Sequence, residues 1–230
     1  MRDVVSSRWR PLLAIALVAP VPSLSVWVAM VAAPSPFGHA VFLAAKIWLV
    51  SVPAVWFLAV EKGRLRWSLP TRELVKAGLV NGCVLAAVIV FGTWLFGGLR
   101  IDPAPLAVAA ENMGLASPGR FLAGALGWIL LNSLMEEYVY RWFILRQCEL
   151  LMAPRLAIVA SATVFTVHHV IAVSRYLDTW FSLLASASVF VGGLVWAWLY
   201  QRHRSIWPCW ISHILADLAV FAIGYQLLFG

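Results

Sequence analysis

Residues 131–141 read Leu-Asn-Ser-Leu-Met-Glu-Glu-Tyr-Val-Tyr-Arg, and they place two adjacent carboxylates, Glu136 and Glu137, inside a long apolar stretch. A carboxylate at membrane depth is costly, so an acidic residue there indicates a functional site. Because further ionisable residues occur on later apolar segments, the pattern favours a site over a stray polar residue.

The composition is that of a protein solvated by lipid. The chain is 63% hydrophobic and only 12% charged, whereas about a quarter of the residues in a soluble domain are charged. Long unbroken apolar runs are typical of membrane-spanning helices. We therefore predict an all-α, polytopic transmembrane helical bundle. Residues 1–117 would hold the N-terminal transmembrane spans and an outside loop, and residues 118–230 the transmembrane core with most of the ionisable residues at membrane depth, the part that would be catalytic if these form an active site.

Seven apolar segments are each long enough to cross a bilayer, which takes about 20 residues. They are 12–33, 37–60, 74–97, 120–148, 155–173, 180–200 and 206–228. The first could instead be a signal peptide. Its apolar run exceeds the ~7–15 residues of an ordinary signal core, so we expect an uncleaved span, kinked by Pro20 and Pro22. The loop 98–119 could carry a short helix over 104–113.

Basic residues in the loops orient these spans. Arg and Lys lie before the first span and in every second loop after it, so the positive-inside rule predicts a cytoplasmic N-terminus. The residues on this side are Arg2, Arg8, Arg10, Lys62, Arg64, Arg66, Arg72, Arg146, Arg155, Arg202 and Arg204, against Arg100 and Arg175 on the other, with Arg120 at a boundary. This placement explains the net charge of +7 without a nucleic-acid partner. The expected location is a bacterial inner membrane.

The fourth and fifth spans bring acids and histidines to a common depth. They form an antiparallel pair joined by a turn at 151–154, and residues equidistant from that turn lie at equal depth. This relation pairs Glu136 with His169 and Glu137 with His168.

The seventh span adds a second histidine site. His213 and Asp217 are four apart and share a helix face, as do Glu137 and Arg141, which can form an ion pair. Glu136 lies about 100° around the helix from Glu137, so the two acids have different environments. One of them can face a cavity while Arg141 neutralises the other.

These residue types suffice for amide hydrolysis without a nucleophilic side chain. A glutamate beside a histidine can hold and deprotonate a water molecule. A second histidine and an aspartate can donate to the oxyanion of a tetrahedral intermediate, or orient a donor. The same groups could bind zinc, but no HExxH pattern is present. We place metal-free catalysis ahead of a zinc site.

Three motifs in order, on separate spans, resemble the CPBP family of intramembrane proteases, which includes the Rce1-like prenyl-protein endopeptidases. The motifs are Glu136-Glu137-x-x-x-Arg141, Phe165-x-x-x-His169 and His213-x-x-x-Asp217. The resemblance covers approximately residues 118–228, and the first three spans match only in being apolar.

The resemblance implies an intramembrane endopeptidase of glutamic type, called a metalloprotease in older naming. Carried over by position, Glu136 would activate a water molecule that His169 shares. His213 and Asp217 would stabilise the oxyanion. Family members carry Asn or Asp at the last position, and an ionised Asp cannot donate a hydrogen bond. Asp217 would then be protonated or would orient His213.

Other residues would support the site or lie outside it. Glu137 and Arg141 are expected to form a structural ion pair, and Phe165 to pack in the core. His168 is expected to be a packing or supporting histidine, because the motif selects His169. Lys46 is expected to extend toward the membrane surface or to face water.

The substrate class would be a membrane-anchored protein or peptide cut near the bilayer, such as a C-terminal sorting tail, a prenylated tail or a peptide precursor. Two functions of other classes stay open. A proton-coupled transporter also uses intramembrane Glu and His, but the first three spans hold only Lys46 as a mid-span charge. A non-catalytic immunity or scaffold protein would keep the fold without turnover.

Overall fold

The computed structural model describes residues 2–65, 68–96 and 101–230, with side chains from residue 8 onward within those ranges. The structure is 84% helical, and its described residues form no strand, which confirms the all-α prediction. The loop charges Arg66 and Arg100 and the side chain of Arg2 lie outside the described part. The division at residues 117 and 118 stays a prediction, as does the side of the N-terminus.

The chain forms a series of helices, and several of them combine α-helical with π-helical stretches. The α-helices are α1 (Arg2–Val18), α2 (Pro20–Trp27), α3 (Pro36–Val55), α4 (Arg72–Phe96), α5 (Ala104–Asn112), α6 (Pro118–Gly127), α7 (Ser133–Glu137), α8 (Arg146–Glu149), α9 (Pro154–Val173), α10 (Thr179–His203) and α11 (Trp207–Phe229). The π stretches are π1 (Val28–Ala32), π2 (Trp56–Val60), π3 (Trp128–Asn132) and π4 (Tyr138–Leu145).

Six helices in the described residues are long and apolar enough to cross a membrane. They are Arg8–Ala32, Pro36–Val60, Arg72–Phe96, Pro154–Val173, Thr179–His203 and Trp207–Phe229. The seventh predicted span, 120–148, is helical from residue 118 to 149. It is interrupted by π stretches and holds several charged residues, so it does not qualify by apolarity alone. The count of seven spans therefore stays a prediction.

One local prediction in the first half is confirmed and another stays a prediction. Ala19, between the end of α1 and Pro20, the first residue of α2, has helical backbone angles, and the kink expected at Pro20 and Pro22 stays a prediction. The short helix expected over 104–113 is α5, Ala104–Asn112. Ala14 and Val18 of α1 are fully buried, so the first span is part of the packed core.

Helix α4 packs on α11 through a glycine face. A Cβ built on Gly82 would lie 2.6 Å from Leu215 Cδ1 and 2.9 Å from Ser212 Cα, and one on Gly78 would lie 2.7 Å from Ile211 Cβ. The two helices therefore touch closely at backbone level, as small residues allow in membranes. The rest of α4 presents exposed apolar side chains such as Val84 and Phe91, as expected of a face toward lipid.

Segment 118–149 is the central helix of the core and is widened on both sides of α7. A π stretch leaves backbone groups without their regular helical partners, so other groups must satisfy them. Trp210 Nε1 on α11 donates to the Leu130 carbonyl at 3.1 Å. Ser161 Oγ on α9 donates to the Tyr140 carbonyl at 2.9 Å. The π stretches are thus fastened to α9 and α11, the two helices that carry the histidines.

Candidate active site

The structure brings the predicted site residues together from three helical segments. Glu136 and Glu137 end α7, His168 and His169 lie near the end of α9, and His213 with Asp217 occupies the first half of α11. Glu136 is 7% exposed and Glu137 is fully buried. Since burial of unpaired carboxylates is costly, the partners of each acid reveal how the site is built.

Glu136 lies between the histidines of both partner helices. Its Oε1 is 3.7 Å from His168 Nε2, and its Oε2 is 3.7 Å from His213 Nε2. The donor atoms of Glu136, His168 and His169 all lie within 4.8 Å of one another. These separations exceed hydrogen-bond length, so the carboxylate is surrounded by imidazoles at a spacing that a water molecule can bridge.

Each histidine of α9 has its Nδ1 occupied, which leaves Nε2 as the free ring nitrogen. His169 Nδ1 is 3.0 Å from the Phe165 carbonyl. A carbonyl only accepts, so Nδ1 carries the proton and a neutral His169 offers its Nε2 lone pair. His168 Nδ1 is 3.1 Å from the Tyr140 hydroxyl. A hydroxyl can donate or accept, so His168 can take either tautomer.

Glu137 contacts the other ring nitrogen of His213 and, unlike Glu136, an arginine. Its Oε1 lies 2.8 Å from His213 Nδ1, and its Oε2 lies 3.2 Å from Arg141 Nε. The predicted ion pair with Arg141 is therefore present. The predicted pairing of Glu137 with His168 is wrong, because the turn of about 100° between adjacent helical residues aims Glu137 at α11 while His168 meets Glu136.

Arg141 is fully buried among aromatic rings. Its guanidinium carbon lies 4.8 Å from the Phe165 ring centroid and 5.6 Å from that of Trp196. Within the described residues, neither terminal guanidinium nitrogen has a hydrogen-bond partner. Cation–π contacts and the Glu137 carboxylate thus stabilise this charge. Phe165 is 1% exposed, in agreement with its expected core packing.

His213 is held in a fixed plane with its Nε2 toward Glu136. The Trp196 ring stacks on the imidazole at 3.9 Å between centroids and 16° between planes. Glu137 accepts from Nδ1, so Nε2 faces Glu136 at 3.7 Å and Asp217 Oδ1 at 3.6 Å. With carboxylates at both nitrogens, the ring is well placed to donate from both.

Sequence reasoning missed a second line of contacts that reaches Glu136 from the N-terminal spans. Lys46 Nζ on α3 lies 2.6 Å from Asn132 Oδ1, and Asn132 Nδ2 donates to Glu136 Oε1 at 2.9 Å. The expectation that Lys46 extends to the surface is wrong, because Asn132 and the rings of Phe42 and Trp128 attract its ammonium into the bundle. Asn132, four residues before Glu136, was a signal that helical spacing offered.

A small cavity adjoins Glu136 on this N-terminal side. Its volume is about 20 Å³, which is room for one water molecule. Polar groups line it from Ser25, Lys46, Glu136, Tyr140 and His168. A buried water needs two to four polar partners, and this lining supplies them.

The comparisons with known proteins agree with the motifs. Residues 118–219 match the family model described as Type II CAAX prenyl endopeptidase Rce1-like. No curated protein and no solved structure matches the chain. The resemblance drawn from the three motifs is therefore confirmed over residues 118–219, the segment that carries all three.

Proposed function

We propose that the protein is a glutamic-type intramembrane endopeptidase, which hydrolyses a peptide bond of a membrane-associated protein or peptide. The observation that carries this proposal is the position of Glu136. It is a buried carboxylate with imidazoles from α9 and α11 on both oxygens and a water-sized cavity beside it. The family description of residues 118–219 names an endopeptidase, which supports the same reaction.

In the proposed reaction, Glu136 acts as the general base. A water molecule between Glu136 and the His169 Nε2 lone pair gives a proton to the carboxylate, and its oxygen attacks the peptide carbonyl carbon. The carbonyl oxygen becomes an oxyanion. When the intermediate collapses, the C–N bond breaks and Glu136 returns the proton to the leaving amine. Water and peptide thus yield one carboxylic acid and one amine.

His213 is placed to stabilise the oxyanion. As an imidazolium it donates from Nδ1 to Glu137, which fixes the ring, and it presents an Nε2–H to the site near Glu136. A donor held in place before the reaction stabilises developing charge without reorganisation. Asp217, 3.6 Å from that nitrogen, orients the ring or, when protonated, donates beside it.

The substrate class we propose is the membrane-proximal end of an anchored protein or peptide. The site lies between helices that are apolar outside, which matches a substrate segment already held in the bilayer. A prenylated tail, which the family description names, belongs to this class, as do sorting tails and peptide precursors. The bacterial inner membrane stays the predicted location.

The test compares protein termini in membranes that hold the wild type or Glu136→Gln at equal level. Loss of a general base costs about 10²- to 10⁴-fold, so defined new C- and N-termini should vanish in the variant. Glu111→Gln, the same change at an exposed position on α5, serves as the control and should retain them. If the same protein termini are found with the wild type and with Glu136→Gln, the protein is not a protease that uses Glu136.

A further inference from the structure

We propose that Trp196 is a positioning residue for His213, so that α10 contributes to the site although none of its residues belongs to the three motifs. The inference rests on the proposed function, in which His213 stabilises the oxyanion. Trp196 is only 4% exposed. It therefore acts through the histidine and not through contact with the substrate.

The indole ring covers one face of the His213 imidazole. The two ring centroids are 3.9 Å apart, and the planes differ by 16°. Phe165 meets the same imidazole edge-on, with 6.1 Å between centroids and 82° between planes. Since buried side chains are closely packed, a ring stacked this near blocks rotation of the imidazole out of its plane. The direction of Nε2 thus depends on Trp196.

The indole is itself held by the helix that carries His213. Trp196 Nε1 donates to Ser212 Oγ at 3.1 Å, and Ser212 directly precedes the histidine in the chain. Cys209 Sγ donates to the Trp196 carbonyl at 3.2 Å. Both contacts come from α11, so the stacked pair is fastened on each side of the contact between α10 and α11.

The stack also suits the charge that His213 requires. A histidine donates from both ring nitrogens only as an imidazolium, and the face of an indole attracts a cation. Glu137 Oε1 lies 2.8 Å from Nδ1, and Asp217 Oδ1 lies 3.6 Å from Nε2. The carboxylates contact the edge of the ring and Trp196 contacts its face, so the cation is stabilised from two directions.

The test measures kcat and KM of Trp196→Leu on one identified substrate. Loss of a desolvated cation–π contact should lower kcat about 10- to 30-fold, which corresponds to about 1.4–2 kcal/mol. KM should stay close to the wild-type value, because the substrate does not touch Trp196. Trp56→Leu, at a buried tryptophan of π2, is the matched control and should retain kcat. Thermal unfolding in detergent compares the stability of the two variants.

A second background separates a positioning role from a merely structural one. In His213→Ala the proposed oxyanion donor is already absent, so addition of Trp196→Leu should lower kcat no further. If the two losses of kcat instead multiply, Trp196 does not act through His213, and the inference is overturned.

Trp196→Phe keeps the test decisive if the leucine variant does not fold. A phenylalanine retains an aromatic face that attracts cations less than an indole does, so kcat should fall about two- to threefold. That loss should disappear in the His213→Ala background. Wild-type kcat in Trp196→Phe, with Glu136→Gln inactive, overturns this inference and leaves the proposed function standing. A wild type without turnover overturns both.

Discussion

The ammonium of Lys46 lies 2.6 Å from the amide oxygen of Asn132, although the two residues are 86 positions apart. A lysine only donates, so the amide oxygen faces Lys46 and the amide nitrogen faces Glu136. Lys46 lies outside the segment that matches the family. The N-terminal spans therefore set the orientation of the amide that holds the proposed catalytic base.

We expect Lys46→Met to lower the cleavage rate about tenfold or more. A hydrogen bond to a charged group contributes about 1.5–3 kcal/mol, and each 1.4 kcal/mol on the barrier is about a factor of ten. Turnover on an identified substrate would measure the effect, with Lys76→Met, at an exposed lysine of α4, as the control. Lys46→Arg should recover part of the rate. Equal cleavage rates for Lys46→Met and Lys76→Met would show that Asn132 keeps its orientation without the contact from Lys46.

Glu137→Gln should destabilise the protein by about 3–5 kcal/mol, because it leaves the fully buried Arg141 guanidinium without a counter-charge. Thermal unfolding in detergent measures the loss. Glu73→Gln, at an exposed position of α4, should have a negligible effect.

The double variant Glu137→Gln/Arg141→Met tests the cause of that loss. Removal of both charges eliminates the uncompensated ion, so the double variant should be more stable than Glu137→Gln. The loss of stability in the double variant is compared with the sum of the losses in Glu137→Gln and Arg141→Met. If the double variant loses as much as that sum, Arg141 is stabilised by the Phe165 and Trp196 rings without Glu137.

Asp217→Asn should retain cleavage within about tenfold, because an amide can donate where an ionised carboxylate cannot. Asp217→Leu removes both the donor and the group that orients His213. It should lose about 10²- to 10³-fold, the usual cost of one oxyanion donor. The measurement is kcat for both variants on one substrate. A wild-type kcat in Asp217→Leu would show that Asp217 takes no part in the reaction.

Gly82→Leu should separate α4 from α11. Its Cβ would lie 2.9 Å from the Ser212 backbone, which cannot rotate away, and overpacking of this kind costs about 1–3 kcal/mol. Gly92→Leu on the same helix meets no atom within 4 Å and is the matched control. Thermal unfolding in detergent compares the two, and equal midpoints would mean that the helices are not in close contact.

Much of the fold follows from the length of the apolar runs and from the free-energy cost of placing a charge in a membrane. Apolar runs of span length in a chain of this kind form helices, so the helical spans were predictable. The rarity of acids at membrane depth likewise singled out Glu136 and Glu137, and helical spacing predicted the pairing of Glu137 with Arg141.

The remaining site geometry depends on facts that spacing does not contain. Depth in an antiparallel pair states which residues are level, but not the direction in which each side chain turns, so Glu137 was assigned to His168 instead of His213. The contact of Lys46 with Asn132 depends on how the N-terminal spans pack on the core. Apolar helices form all their backbone hydrogen bonds internally, so they can pack against one another in many arrangements. The apolar pattern of their sequences does not select one arrangement.

The π stretches on both sides of Ser133–Glu137 also bear on how this gene can change over evolutionary time. A π stretch is the form that a helix takes when it holds a residue more than regular turns accommodate. Deletion of a single codon within 128–132 or 138–145 would restore regular turns without breaking the span. Because the π stretch already accommodates that residue, the turns on either side would keep their orientation, and Glu136 would keep its histidines. A deletion within the regular turns of Ser133–Glu137 would instead rotate one side of the helix against the other by about 100°, so natural selection tolerates a change of length at the π stretches and not between them.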